Sequence, residues 1–189
     1  MVEPPQPQQT VHEVPGTKSY DDHTISNLKF TQTEGQVLID CSVDFTNGLA
    51  SDAVELDYIQ LDTDVENAIT LLFEYEGDPV LAGETVTVTL KEDAAEWMEA
   101  TDYTVTSASA KPISVWKVTF YDDDLTTVID TQDVLDGSTA REVTEPEKPD
   151  YKFIGWYVIE SGVVTETEFN FYTPVEDDVD VAAVYESME

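Results

Sequence analysis

The chain has 189 residues, of which 41% are hydrophobic, so it can bury a substantial core and is not predicted to be disordered. Its 8 Lys and Arg residues against 41 Asp and Glu residues give a net charge of −33, which disfavours binding to nucleic acid and to anionic lipid. The single cysteine, Cys41, excludes an intrachain disulfide and a cysteine-based metal site. No apolar run reaches the length that spans a bilayer, so membrane insertion is not predicted either.

Residues 1–20 are rich in proline and glutamine, which predicts an extended N-terminal arm. Docking onto a protein partner is assigned to six residues of this arm: Pro4, Pro5, Pro7, Val11, Val14 and Pro15. The start of the chain has neither the basic nor the apolar region of a secretory signal. We therefore expect either an excised piece of an exported protein or delivery by a route other than general secretion.

Residues 21–112 have the pattern of a first, mainly β domain of the sandwich or barrel type. Short strand-like runs rich in Val, Thr and aromatic residues alternate with turn signals such as Asn47-Gly48. In the run Thr85–Leu90 every second residue is apolar, which is typical of a half-buried strand. The predicted strands are Thr24–Thr31, Gln36–Phe45, Val54–Leu61, Ile69–Tyr75, Thr85–Leu90 and Tyr103–Ser107. Cys41 lies inside the second of them, which predicts a buried, inert thiol.

The end of the first domain carries two further signals. The stretch Glu92–Ala100 predicts one short helix or helical turn, and Pro112 predicts a stiff joint that begins a second domain at residues 113–189. Trp97 and Trp116 are candidates for an interface, since tryptophan is enriched in protein–protein contacts.

The second domain contains a recognisable motif. A strand Val118-Thr-Phe120 is followed by Pro146-Glu-Lys-Pro149, by Tyr151-Lys-Phe-Ile-Gly-Trp-Tyr157 and by Phe169-Asn-Phe-Tyr-Thr-Pro-Val175. From about residue 115 to 186 this pattern resembles the Listeria–Bacteroides repeat, the internalin B-type B-repeat module. Asp150 stands where the family usually has a glycine before the tyrosine.

The resemblance implies a small, β-grasp-like module that serves as a spacer or binding unit in bacterial surface proteins and in phage-borne proteins. It is not a family known for catalysis. The motif residues are predicted to form the core, because clustered aromatic side chains carry large apolar area. They are Phe120, Tyr151, Phe153, Gly155, Trp156, Tyr157, Phe171, Pro174 and Val175. Regular strand alternation predicts Tyr151, Phe153 and Gly155 on one face and Trp156 on the other. The alternative is an exposed aromatic platform that includes Trp156 and stacks on sugars, and burial of Trp156 would exclude that platform.

Catalytic and cofactor signals are weak throughout the sequence. Only His12 and His23 are present, at no zinc-binding spacing, and no phosphate-binding glycine loop occurs. We predict no catalytic residue, no cofactor and no enzyme activity. Two acidic clusters, Asp122–Asp124 and Glu176–Asp178 with Asp180, are alternatively calcium ligands or solvated loops, and we favour the loops.

Three functions fit these features. The first is a bacteriophage virion component, such as a capsid decoration, cement or head-fibre protein, which docks on capsid or other virion subunits by its N-terminal part and exposes the repeat module on the virion surface. The second is an adhesion or spacer module on the bacterial cell surface. The third is a carbohydrate-binding module. The C-terminal domain is a candidate for contact with a host surface or a glycan. We rank the virion component first.

Overall fold

The structure is a computed structural model that describes residues 6–188. Mainly β structure is present, as predicted, and the chain divides into two compact units between Pro112 and Ile113. No helix in this described part is long and apolar enough to cross a bilayer.

The first unit contains seven strands in two sheets. The four-stranded sheet has the order β1-β2-β3-β6 and is antiparallel throughout, and the three-stranded sheet has the order β5-β4-β7. The strands are β1 (Gln9–Tyr20), β2 (His23–Thr33), β3 (Ile39–Thr46), β4 (Ala53–Thr63), β5 (Leu71–Glu74), β6 (Thr85–Glu92) and β7 (Tyr103–Ile113).

One core joins the two sheets of this unit. Along β3 every second residue is buried, from Ile39 to Phe45, and the residues between them are polar. Buried side chains of β4, such as Ile59, belong to the same cluster, so the two sheets pack face to face as a sandwich. No sheet in residues 6–188 closes on itself, so the barrel alternative is wrong.

The predicted helical turn is a 3-10 helix, Ala95–Glu99. Its Trp97 is fully buried, and the indole Nε1 donates a hydrogen bond to the Ile69 carbonyl oxygen at 2.9 Å. Trp97 is therefore a core residue of the sandwich and not an interface residue.

The N-terminal arm differs from its prediction. Residues 9–20 form β1, which pairs with β2 over ten register positions, so the first domain begins well before residue 21. The register shifts between Val14 and Thr17, where Gly16 adopts a φ of 112°. Pro15 lies in this bulge of an edge strand, where a missing N–H is tolerated. The prolines predict an extended arm, whereas in the structure Pro15 marks an irregular position in a strand.

The second unit is one five-stranded sheet. Its order is β11-β10-β12-β8-β9, in which the central pair β12 and β8 is parallel and the other pairs are antiparallel. The strands are β8 (Val115–Tyr121), β9 (Val128–Leu135), β10 (Tyr151–Glu160), β11 (Val163–Glu168) and β12 (Val179–Ser187). The first strand, β8, forms a hairpin with β9, and the last strand, β12, lies between β8 and the β10–β11 hairpin. This is the β-grasp-like order that the resemblance implies.

The core of the second unit lies on one face of this sheet. Phe120 of β8, Trp156 of β10 and Val181 of β12 are buried there. The segment between β9 and β10 has no regular secondary structure and contributes Ala140, and the segment after β11 contributes Val175. Two loop segments therefore cover this face of the sheet.

Candidate functional site

The six residues predicted to dock onto a partner are not equivalent in the structure. Pro4 and Pro5 lie outside the described residues. Val14 is buried in the sandwich core with 2% of its surface exposed, so it supports the fold and is not available to a partner. The other three, Pro7, Val11 and Pro15, are exposed, Val11 to 49%. Any docking by this region therefore uses the outer edge of β1 and not a free arm.

The predicted repeat-motif residues separate into core and surface. Phe120, Gly155, Trp156 and Val175 are buried, and Phe153 and Phe171 are half-buried and pack on the core. The Phe120 ring contacts Trp156 edge to face at 5.1 Å between ring centroids and stacks on Phe171 at 5.7 Å. With Trp156 only 4% exposed, its indole is unavailable for stacking on sugars.

Three motif residues lie outside the core, contrary to the prediction. Tyr151 is 42% exposed because it lies at the start of β10 beside the C-terminal end of β12. Pro174 is exposed because the following residue, Val175, turns inward and its backbone pairs with Ser138. Tyr157 is half-buried on the opposite face of the sheet from Trp156.

A bulge in β10 explains why the predicted alternation fails. Phe153 pairs with Tyr185 and Gly155 pairs with Val184, so Ile154 is an extra residue without a partner in β12. Because of the extra residue, Phe153 lies on the same face as Trp156, and the centroids of the two rings are 5.4 Å apart. Phe153 and Trp156 therefore share one face, whereas regular alternation separates them.

Lys148 ties the loop before β10 to the sheet. Its ammonium group lies 4.9 Å from the centroid of the Tyr151 ring and 5.1 Å from that of the Tyr185 ring, and it forms an ion pair with Asp123. The Tyr185 hydroxyl donates to the Asp122 carboxylate at 2.8 Å. Burial, and then the hydrogen bond to Asp122, raise the pKa of Tyr185. These contacts explain why Tyr151, although exposed, is held in place.

Acidic residues of both clusters accept hydrogen bonds, some from their own loop and some from other elements of the repeat unit. Asp124 accepts hydrogen bonds from the backbone N–H groups of Thr126 and Thr127 and from the Thr127 hydroxyl, and these bonds hold its pKa well below the usual range. Asp178 accepts one from the Lys117 N–H at 2.7 Å. In residues 6–188 no three His, Cys, Asp or Glu side chains have the arrangement of a metal site.

The reactive side chains of the first unit are engaged in the fold. His12 Nε2 lies 2.7 Å from the Ala100 carbonyl oxygen, and the buried His23 accepts a hydrogen bond from the Gly48 N–H at Nδ1. Cys41 is 1% exposed, and burial, with the nearby Asp40 and Glu92 carboxylates, raises the pKa of its thiol to about 12. Its thiolate is therefore scarce at neutral pH, and the thiol is a poor nucleophile while the unit is folded.

A row of side chains crosses the sheet on the face opposite the core. Directly paired residues share a face, and the pairing runs from Glu168 of β11 to Tyr157 of β10, Ala182 of β12, Tyr121 of β8 and Val128 of β9. We call these five residues the cross-strand row. Both tyrosines are half-buried, whereas Glu168 and Val128 are exposed. The small side chain of Ala182 lies between two much larger ones, which accounts for its complete burial.

Gly155 sets the position of the Tyr157 ring in this row. A Cβ atom placed on Gly155 would lie 3.3 Å from Cε2 of Tyr157 and 3.1 Å from Oε1 of Glu168. The phenol ring therefore leans back along its own strand, over the space that the glycine leaves free. The Glu168 carboxylate lies at the same position, so an acceptor group adjoins the ring.

The sequence-based prediction did not single out Tyr121 or Glu168 and assigned Tyr157 to the core. The row depends on pairing between residues that are far apart in the sequence, which no local pattern indicates. The one local signal is a glycine two residues before a tyrosine in a strand, because that spacing lets an aromatic ring pack over the glycine.

Comparison with known proteins identifies the second unit only. No curated protein matches the chain at a significant level. Residues 116–184, less than half of the chain, match the family model described as the Listeria-Bacteroides repeat domain. The match includes β9, β10 and β11, most of β8 and β12, and the aromatic motif on which the resemblance is based. The C-terminal unit thus carries a Listeria-Bacteroides repeat, a family typical of extracellular surface proteins.

Proposed function

We propose that this chain is a non-catalytic adhesion or spacer protein displayed on the bacterial cell surface, with the repeat unit as its binding part. The observation that carries the proposal is the family match over residues 116–184, since that repeat is a surface or adhesion-type module. The engagement of both histidines and of Cys41 in the fold supports a non-catalytic role. The charge of −33 suits a protein that must stay soluble and resist non-specific contacts in an exposed setting.

A second candidate is a component of the virion surface that docks on a capsid protein. It is favoured by the edge strand β1, in which Val11 and Pro15 are exposed, and by the exposed Pro7 just before it. An edge strand presents unpaired backbone groups to which a strand of a partner can add. Burial of Val14 removes part of the docking surface on which the virion prediction rested, so the cell surface now ranks first.

Protease shaving of the native source separates the two candidates. Intact cells and gradient-purified phage particles from the source culture are treated with trypsin, and released peptides are identified by mass spectrometry. Cleavage after Lys152, in the repeat unit, on intact cells supports the cell-surface proposal. Release of the same peptide from particles alone favours the virion. Peptides that appear only after cell lysis, with none from particles, would contradict surface display of either kind.

A further inference from the structure

We propose that the cross-strand row of the repeat unit binds a linear, neutral oligosaccharide by stacking sugar rings on Tyr157 and Tyr121. This deepens the proposed surface function by naming a ligand class, and it rests on that function only for the setting in which the ligand is met. The row is distinct from Phe120, Phe153 and Trp156, which pack in the core on the other face of the sheet.

The orientation of Tyr157 is the first step of the argument. Cε2 of the Tyr157 ring lies 3.3 Å from the position of a Cβ on Gly155, so the ring packs back along its own strand, and the side chain stays partly exposed. In the proposed complex a sugar ring stacks on this partly exposed phenol. Glu168 Oε1 adjoins the ring and can accept a hydrogen bond from a sugar hydroxyl.

Spacing along the row is the second step. Tyr157 and Tyr121 are separated by one strand, and neighbouring strands lie about 4.8 Å apart, so the two tyrosine backbones are about 9.6 Å apart. Ala182 between them is too small to interrupt a ligand that rests on both rings. An extended sugar chain laid across the strands can therefore place alternate rings on the two phenols.

Charge restricts the ligand class. The net charge of −33 and the exposed Glu168 at the end of the row repel uronic acids, sialic acids and nucleic acids. A neutral glycan meets no such repulsion, and its hydroxyl groups match the carboxylate acceptor. At the other end the row finishes with Val128, an exposed apolar side chain.

The test measures binding of defined sugars to the full chain by isothermal titration calorimetry. The probes are the hexamers of β-1,4-glucose, β-1,4-N-acetylglucosamine, β-1,4-mannose and α-1,4-glucose, with a hyaluronan hexamer as the anionic comparison. At least one neutral hexamer is expected to bind, and the hyaluronan hexamer is not. Tyr157→Ala and Tyr121→Ala are each expected to weaken binding by at least about tenfold.

Matched variants separate stacking from folding. Tyr157→Phe keeps the ring and is expected to bind within about threefold of the unchanged protein, since its loss is one hydroxyl. Tyr172→Ala removes an 81% exposed tyrosine of the same unit that lies outside the row, and it is expected to bind normally. Glu168→Ala alters an exposed side chain and is expected to weaken binding while the thermal unfolding midpoint stays unchanged.

Several results would overturn the inference. They are the absence of binding by every neutral hexamer at millimolar concentration, equal binding by the Tyr157→Ala and unchanged proteins, and equal loss of binding in Tyr172→Ala. Binding of a basic peptide in place of every sugar would also overturn it. If protease shaving places the chain on cells and no sugar binds, the proposed surface function stands and the sugar-binding inference fails. If a sugar binds but the chain is not exposed on cells or particles, the sugar-binding inference stands and the proposed surface function fails.

Discussion

At the residue scale, Tyr103 connects the two sheets of the sandwich through its hydroxyl group. The side chain is 1% exposed, and its hydroxyl lies 2.9 Å from the Ile25 carbonyl oxygen and 3.1 Å from that of Gly16. Burial, and then the Asp102 carboxylate, raise the pKa of Tyr103, so the group is a neutral donor at physiological pH. The tyrosine of β7 thus meets the bulge of β1 and the adjoining part of β2.

Replacing this hydroxyl gives a first prediction. Tyr103→Phe is expected to lower the free energy of unfolding of the first unit by about 1–2 kcal/mol, because it removes the hydroxyl that donates to the buried Ile25 carbonyl oxygen. The measurement is labelling of Cys41, the only thiol in the chain, during a denaturant titration, since it reports on this unit alone. Tyr58→Phe is the control. It removes a hydroxyl that is bonded to Ser107 at 3.1 Å in a half-buried site, and a cost below about 0.5 kcal/mol is expected. Equal costs for the two variants would contradict the assigned role of Tyr103.

At the element scale, the bulge of β10 decides which side chains enter the core of the repeat unit. Phe153 contacts Trp156 at 5.4 Å and Tyr185 at 6.0 Å between ring centroids, whereas Ile154 is 41% exposed. A regular strand would reverse this order, because Ile154 and Trp156 are two residues apart.

The bulge gives a second prediction, in which neighbouring residues have opposite expectations. Phe153→Ala is expected to destabilise the repeat unit by about 2 kcal/mol, somewhat below the cost for a fully buried phenylalanine. Ile154→Ala is expected to cost less than about 0.5 kcal/mol, since the side chain faces solvent. Urea unfolding followed by tryptophan fluorescence, dominated in this unit by Trp116 and Trp156, measures both. A larger cost for Ile154→Ala would show that β10 is a regular strand.

The sequence predicted those elements whose signals are local. Alternation within single strands located β2 to β7, and the spaced aromatic motif located the repeat. It missed β1, because Pro15 and Gly16 are local signs of a loop, whereas pairing with β2 is favoured by burial of Val14 against the other sheet. It also missed the cross-strand row, since the bulge at Ile154 sets the face of Tyr157 and the pairing with Ala182 and Tyr121 is long-range.

At the scale of the whole molecule, attraction within ion pairs opposes the mutual repulsion of the many acidic residues. Six of the eight basic residues form ion pairs with aspartates, for example Lys18 with Asp102 at 2.6 Å and Lys117 with Asp133 at 2.7 Å. Exposed pairs of this kind contribute about 0–1 kcal/mol each. Within residues 6–188 most acidic residues have no such partner to offset their mutual repulsion.

This balance gives the last prediction, on the effect of salt. Raising NaCl from 10 to 300 mM shortens the Debye length from about 30 Å to below 10 Å, which screens repulsion across a whole unit more completely than attraction within a contact pair. We therefore expect the free energy of unfolding to rise by about 1 kcal/mol and the thermal midpoint by several degrees, as calorimetry would show. Lys117→Gln is the control, because removing one exposed pair should lower the midpoint slightly at low salt and leave the salt response in place. A midpoint that falls with added salt would mean that the six ion pairs outweigh the net charge, and the acidic surface would then stabilise the fold through specific contacts.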